Sequence, residues 1–301
     1  VRLSFLKMHA AGNDYIYVDG IRRRTPSVNW SKASTILSDR HRSVGSDGVI
    51  LILPSEIADF RMRIFNADGS EGDMCGNGVR CLGGYVWSNG LIDEQEFSVE
   101  TRDGIVGIQV FSSGRRLAVE AVMAGPQFRL GEVPMRGPYE TVAEEVPLEI
   151  VGHIIPVYGV RVGNPHCVLF VRDPWAIDVP ALGPVFENHA VFPKRANVEF
   201  VQVIDRHRVR VRVWERGSGL TRSCGTGACA SAVWAIRRGL CDSPVWVKMP
   251  GGKLQVRWDG EGDLRLRGAV HESFRGTVIV PRRARLSSGG ECAGERSSAK
   301  E

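Results

Sequence analysis

The sequence predicts an α/β chain of two pseudo-twofold-related halves, each folding its strands around one central helix. Three observations predict it. First, Met74-Cys75-Gly76-Asn77-Gly78 and Ser223-Cys224-Gly225-Thr226-Gly227 share one design. Each follows an extended apolar stretch and a polar loop, then runs into small apolar residues that read as a buried helix. Second, the surroundings match. Arg61-Met62-Arg63-Ile64-Phe65-Asn66 precedes Cys75 at the distance at which Arg210-Val211-Arg212-Val213-Trp214-Glu215 precedes Cys224. Gly48–Ile52 aligns with Asn197–Val201 at the same offset, and Gly12-Asn13-Asp14-Tyr15 finds a counterpart in Gly163-Asn164-Pro165-His166. Third, both helical segments are apolar on nearly every side until their ends, as a helix wrapped by sheet must be. The chain reads as a diverged tandem duplication whose two cysteines face one site.

Length and composition fit this reading. The 301 residues suggest two domains, and 43% hydrophobic with 24% charged residues is ordinary for a globular protein. The division expected is 1–124 plus 272–282 for the Cys75 half and 125–271 for the Cys224 half, with a disordered tail over 283–301. No apolar run approaches the roughly 18 residues of a membrane helix. The first twenty residues show no signal-peptide pattern, so the cytoplasm is the expected compartment. Seven scattered cysteines without a secretory signal argue against a disulfide framework. The spacings Cys75/Cys81 and Cys224/Cys229 depart from the short pairs of zinc sites, so no metal is expected. The net charge of +5 is mild, and the arginines at 206, 208, 210 and 212 alternate along one strand face with few aromatics between them. No nucleic-acid partner is expected.

Residues 3–8 and 15–19 read as strands about the turn His9–Asp14. Ser31–His41 reads as a helix with Ser31 at its N-cap. Val49–Leu53 is a buried strand after the turn Gly45–Gly48, and Phe60–Phe65 alternates as another. The helix Gly76–Trp87 is rich in glycine, which lowers helix propensity by about 1 kcal/mol per residue, so it depends on tertiary packing. Phe97–Thr101, Ile105–Val110 and Leu117–Val122 are short strands around Asp103-Gly104 and Ser113-Gly114. Ala124-Gly125-Pro126 reads as a linker. The programme then repeats with a strand-rich Val151–Val162 and strands His166–Val171, Val198–Ile204 and Val209–Trp214. The better helix Gly225–Arg238 follows, then strands Val245–Met249, Gly252–Trp258 and Leu264–Gly268. Thr277–Val280 is a last strand, expected to cross back to the first half.

A cysteine at a helix start sits among backbone N–H groups at the positive end of the dipole. That environment predicts thiols more acidic than the free value of about 8.5. Two such helix starts brought together would form an anion site for a carboxylate, flanked by a cysteine on each side. Removing the α-proton of an amino acid places negative charge on its carboxylate, which converging N–H donors stabilise. One cysteine as thiolate takes the proton from one face, and the other as thiol returns one to the opposite face. Such chemistry needs no electron-sink cofactor.

The residues around the cysteines carry a resemblance to a known family. Lys7-Met8-His9-x-x-Gly12-Asn13-Asp14-Tyr15, Phe65-Asn66-Ala67-Asp68-Gly69-Ser70, Cys75-Gly76-Asn77-Gly78-x-Arg80-Cys81, Gly163-Asn164-Pro165-His166-Cys167 and Glu215-Arg216-Gly217-x-Gly219 resemble diaminopimelate epimerases, from residue 3 to about 280. The resemblance implies interconversion of LL- and meso-2,6-diaminopimelate without pyridoxal phosphate or metal, and so no cofactor. It implies a mixed sheet in each half and a homodimer. By position, Cys75 and Cys224 would be the acid/base pair. The backbones of Gly76, Asn77, Gly225 and Thr226 would hold the reacting carboxylate. Asn66, Asn164, Asn197 and Arg216 would hold the distal end, with Asn13 lining the pocket. His166 and Glu215 would support the amino group or tune the thiols. Gly48 stands where some members carry glutamine, leaving at most a backbone contact.

The nearest alternative is a proline or histidine racemase of the same fold. Asn77, where proline racemases tend to carry histidine, and Arg216, which a proline-sized substrate would not need, argue for diaminopimelate. A cysteine acyl-transfer enzyme using His166 would leave the duplication unexplained.

Overall fold

The computed structural model of the chain describes residues 1–114 and 116–280. The expected tail over 283–301 lies outside them. The first half comprises β1 (Arg2–Ala10), β2 (Asn13–Asp19), α1 (Trp30–Ser38), β3 (Gly48–Leu53), β4 (Phe60–Asn66), β5 (Glu71–Gly72), α2 (Gly76–Ser88), β6 (Glu96–Thr101), β7 (Gly104–Ser113) and β8 (Arg116–Met123). After β9 (Val146–Ile150) the same order returns. It runs through β10 (His153–Val162), β11 (Asn164–Phe170), α3 (Val179–Glu187), β12 (Asn197–Asp205), β13 (Arg208–Glu215), β14 (Gly219–Thr221), α4 (Gly225–Arg237), β15 (Val245–Met249), β16 (Gly252–Arg257) and β17 (Leu264–Ala269). β18 (His271–Ile279) closes the described chain.

The pairings repeat as faithfully as the order. In the first half β2–β3 and β4–β6 are parallel while β1–β2, β3–β4, β4–β5, β6–β7 and β7–β8 are antiparallel. The second half has β11–β12 and β13–β15 parallel, and β10–β11, β12–β13, β13–β14, β15–β16 and β16–β17 antiparallel. Even the register is kept, for Val49 opposes Phe65 and Val198 opposes Trp214. The halves are stitched by the antiparallel pair β8–β17, in which Val119 faces Gly268. Those two residues are related by the offset that relates Cys75 to Cys224, so the pseudo-twofold axis passes through this pair. β18 returns to pair with β1, as the sequence led us to expect of the last strand.

Burial explains why α2 and α4 are so poor in polar residues. From Gly76 to Val86 and from Gly225 to Ala235 every residue is buried. Both helices share one core with the inward faces of the surrounding strands. The glycines of α2 let those strands close in: a methyl at Gly83 would lie 2.7 Å from Ile108, and one at Gly84 2.7 Å from Val270. α1 and α3 cover the outer faces over two smaller cores, one around Leu37, Ile16 and Phe65 and one around Phe186, Phe200 and Leu169.

Two local expectations are corrected. The first helix starts one residue before Ser31, capped by Asn29, whose Oδ1 accepts from Lys32 N at 3.1 Å. It ends at Ser38 rather than His41, because Asp39 turns to extended backbone and takes the His41 and Arg42 N–H groups on its carboxylate. The strand expected within Val151–Val162 is β10, and β9 just before it pairs antiparallel with it.

Candidate active site

Cys75 and Cys224 are the N-caps of α2 and α4, in extended backbone with φ −137° and −124°. Each sulfur accepts the N–H three residues on, Gly78 N to Cys75 Sγ and Gly227 N to Cys224 Sγ, both at 3.3 Å. The cap leaves the first N–H groups of each helix without an intrahelical acceptor. The two helix starts abut. A methyl at Gly225 would lie 3.5 Å from both Gly76 Cα and Asn77 N, and one at Gly76 would lie 3.8 Å from Gly225 Cα. Leu266 backs both glycines, 3.1 Å and 3.0 Å from those methyl positions. The tight contact at each glycine is with Leu266, and the apposition aims two sets of backbone donors and two dipoles at one volume.

The thiols are not acidified as the sequence led us to expect. Burial pushes the Cys75 thiol up from its ordinary value, against the opposing N–H groups of Gly78 and Asn77 and the Tyr15 hydroxyl. Burial pushes Cys224 further up, aided by the nearby carboxylates of Glu215 and Glu199. Desolvation of a thiolate outweighs the helix ends here. Cys75 is half-buried and donates to Asn13 Oδ1 at 3.5 Å, while Cys224 is buried and lies 3.4 Å from Thr226 Oγ1.

Glu215 is the last residue of β13. Burial pushes its carboxyl up to about 7 although Thr221 Oγ1 donates to it at 2.5 Å. Its charge acts on both thiols, so it stands within electrostatic reach of each. His166 is fully buried, its Nδ1 2.7 Å from Glu199 Oε1 and its Nε2 2.8 Å from Asn164 Oδ1. Two oxygens thus hold the ring in one plane. Asn197 Oδ1 accepts the Arg216 N–H at 2.8 Å, and the Arg216 guanidinium donates to Lys194 O at 3.1 Å from a half-buried position.

In the first half, Asn13 Nδ2 donates to Asp47 Oδ2 at 2.7 Å. Asp47 also accepts the Asp14 N–H and pairs with Arg40, tying the turn before β2 to the loop before β3. Gly48 opposes Asn66 across β3–β4, and any Cβ at Gly48 would sit 2.2 Å from Phe65 O, so this backbone admits glycine alone. Asn66 bonds Ser70 Oγ at 2.9 Å. No hydrogen bond among the described residues ties Asn66 to either cysteine.

Asn13 is thus bonded to the Cys75 sulfur, and His166 and Asn164 are tied to Glu199, which flanks Gly227, while no hydrogen bond among the described residues joins Gly48, Asn66, Asn197, Glu215 or Arg216 to either helix start. Glu199 and Asp47 were not read from the sequence. Asp47 lies in a Gly-Ser-Asp-Gly turn, where an aspartate is the commonest of residues. Glu199 left a signal: its counterpart across the duplication is Ile50, buried and apolar. Among the described residues no group of three or more His, Cys, Asp or Glu side chains could hold a metal ion, and no helix is long and apolar enough to cross a membrane.

Comparison with known proteins agrees with this architecture. Among solved structures, a phenazine biosynthesis protein of the PhzF family from Bacillus anthracis superposes with a TM-score of 0.68 at 16% identity, over 93% of this chain and all of that one. A hydroxyproline epimerase from Agrobacterium vitis superposes with a TM-score of 0.66 at 15% identity, over 92% of this chain and 91% of that one. These share the fold. In sequence, the diaminopimelate epimerase of Moorella thermoacetica is 43% identical over 91% of this chain and 98% of its own length. That of Methanococcus maripaludis is 40% identical over 92% of this chain and 100% of its own length. The diaminopimelate epimerase family model matches residues 5–129 and 158–271, the two halves that each carry one helix-capping cysteine, and the chain belongs to that family.

Proposed function

We propose that this protein interconverts LL- and meso-2,6-diaminopimelate by two-base proton transfer between Cys75 and Cys224. The observation that carries the reading is the contact of Gly76 with Gly225, which sets two cysteine-capped helix starts against one another. The α-carboxylate binds the backbone N–H groups of Gly76, Asn77, Gly225 and Thr226. One thiolate removes the α-proton and becomes a thiol, and the electron pair spreads from Cα into the carboxylate. The opposite thiol then gives its proton to the other face of Cα and becomes the thiolate. Atoms and charge balance without an electron sink, and the enzyme ends with its proton on the other sulfur.

Because burial disfavours both thiolates, ionisation has to be assisted by the substrate's own cationic α-ammonium, placed beside Glu215 and His166. Burial raises the Glu215 carboxyl, and an ammonium set beside it draws it back toward the carboxylate that pairs with that cation. Asn66, Asn164, Asn197 and Arg216 hold the distal amino-acid end, Arg216 clamping its carboxylate through two parallel N–H donors. Asn13 lines the pocket and orients the Cys75 S–H. The reaction belongs to lysine and peptidoglycan-precursor synthesis, in the cytoplasm, and the working form is a homodimer. The two units divide at 124/125 and 271/272, a division supported by the repeat of ten elements on either side.

The test is direct. Purified protein with no added cofactor, given LL-diaminopimelate, should lower its circular dichroism as the meso isomer forms. An unchanged signal alongside inversion of L-proline would replace this substrate with that of a related racemase.

A further inference from the structure

Arg80 is 0% exposed, in the second turn of α2. Its side chain folds back toward the helix start, as helical side chains do. There Nε donates to Gly76 O at 3.2 Å and Nη2 to Asn77 Oδ1 at 2.5 Å, while Nη1 has no hydrogen-bond partner. Among the described residues no carboxylate pairs with it. The titratable groups that act on its charge are the thiols of Cys81, Cys75 and Cys229 and the Tyr17 hydroxyl. Room is kept for it at the pseudo-twofold axis, where a methyl on Gly268 would be 2.5 Å from Nη1.

A buried guanidinium stays charged, and burying it without a counter-anion is costly. Packing does not require it. The residue at the same place on α4 is Cys229, small and fully buried, so the fold fills that position without an arginine. The opposite substitution occurs in the facing strands. A methyl at Gly78 would meet Ile50 Cδ1 at 2.7 Å, and one at Gly227 would meet Glu199 Oε1 at 2.7 Å. The duplicated halves have thus diverged into a cation behind one helix start and a His-bound carboxylate beside the other.

We propose that Arg80 is a positioning residue of the active site. Its guanidinium locks Gly76 and Asn77 and sets a fixed positive charge behind the joined starts of α2 and α4, where the α-carboxylate gathers charge. Its missing counter-anion is that bound carboxylate, together with the Cys75 thiolate. The inference rests on the acid/base reading of Cys75 and Cys224. Of the other titratable groups near the Cys75 sulfur, the Glu215 carboxylate opposes its ionisation and the Tyr15 hydroxyl favours it, with the Tyr17 hydroxyl and the Cys81 thiol behind them.

The full chain carrying Arg80→Met or Arg80→Lys tests this by two readouts, with thermal melting as the folding control. One is kcat and KM on LL-diaminopimelate. The other is the pH dependence of Cys75 alkylation by iodoacetamide, resolved by peptide mass, which needs no substrate. Arg80→Met should lower kcat about 100-fold, as loss of a charge-stabilising donor does, with a much smaller change in KM. Its Cys75 alkylation should move to higher pH. Arg80→Lys, keeping the charge but not the fork, should alkylate as wild type does while kcat falls. A folded Arg80→Met enzyme with wild-type kcat and alkylation overturns the proposal. If Arg80→Met does not fold, Arg80→Lys decides: a profile displaced to higher pH overturns it, and a wild-type profile with reduced kcat supports it. A chain inactive on diaminopimelate whose Cys75 still shows the alkylation shift overturns the substrate reading and leaves Arg80's role standing.

Discussion

Cys75→Ala and Cys224→Ala each lower epimerisation by about 1,000-fold or more, in both directions. Each turnover consumes one thiolate and one thiol, so no direction survives on a single sulfur, and a positioned acid or base is worth about 100- to 10,000-fold on its own. The fold tolerates both changes. Alanine fits each cap position, and the lost S···H–N contact costs only about 1 kcal/mol, within the range for N-cap replacement. Steady-state rates from LL- and from meso-diaminopimelate, with melting temperatures beside them, check the expectation. Either variant retaining a tenth of wild-type activity would remove that cysteine from the mechanism.

Gly225→Val should be nearly as damaging, for a different reason. A Cβ at this position already stands 3.0 Å from Leu266 Cδ2 and 3.5 Å from Asn77 N and Gly76 Cα. The two γ-methyls of valine reach beyond that Cβ into space filled by Leu266 and the start of α2, so these neighbours should have to shift. Overpacking of this kind costs about 1–3 kcal/mol of stability. A displacement of about 1 Å between the thiols and Cα costs about 100-fold in rate. The variant should therefore melt a few degrees lower yet lose far more activity than the stability change accounts for. Full activity in a folded Gly225→Val protein would mean that the apposition of the helices does not build the site.

The duplication was legible because its signals are local and of short period. Cysteine followed by Gly-x-Gly marks each helix start, and Arg-x-Arg alternation marks each preceding strand. α3 was not legible. Its sequence, Val179-Pro180-Ala181-Leu182-Gly183-Pro184, carries two prolines and a glycine that argue against a helix. It forms because Pro180 sits in the first turn, where its absent N–H is not needed, and Asp178 caps it by accepting from Ala181 N at 3.2 Å. The cap of α1 is Asn29 rather than Ser31 because two good capping residues stand two apart, and only packing chooses between them.

The site divided in the same way. Backbone-defined members such as Gly76 and Gly225 could be read from their motif. The acidity of the thiols could not, since it depends on burial, which for Cys224 overrides the helix end. Glu199 and Arg80 are charged residues whose duplicates, Ile50 and Cys229, are uncharged and buried. Comparing the halves position by position for such mismatches finds both.

Two separate thiols work on opposite faces of one α-carbon in the proposed reaction. That mechanism is tested most directly by running the reaction in deuterated solvent from each isomer and reading α-deuterium in substrate and product during the first few per cent of turnover. A thiol proton equilibrates with water, so the group that delivers the proton carries deuterium. Two-base transfer should give product fully deuterated at the inverted carbon while unreacted substrate stays unlabelled, in both directions. Product that keeps the substrate's own α-hydrogen would show one base returning what it removed, and would rule out two separate thiols.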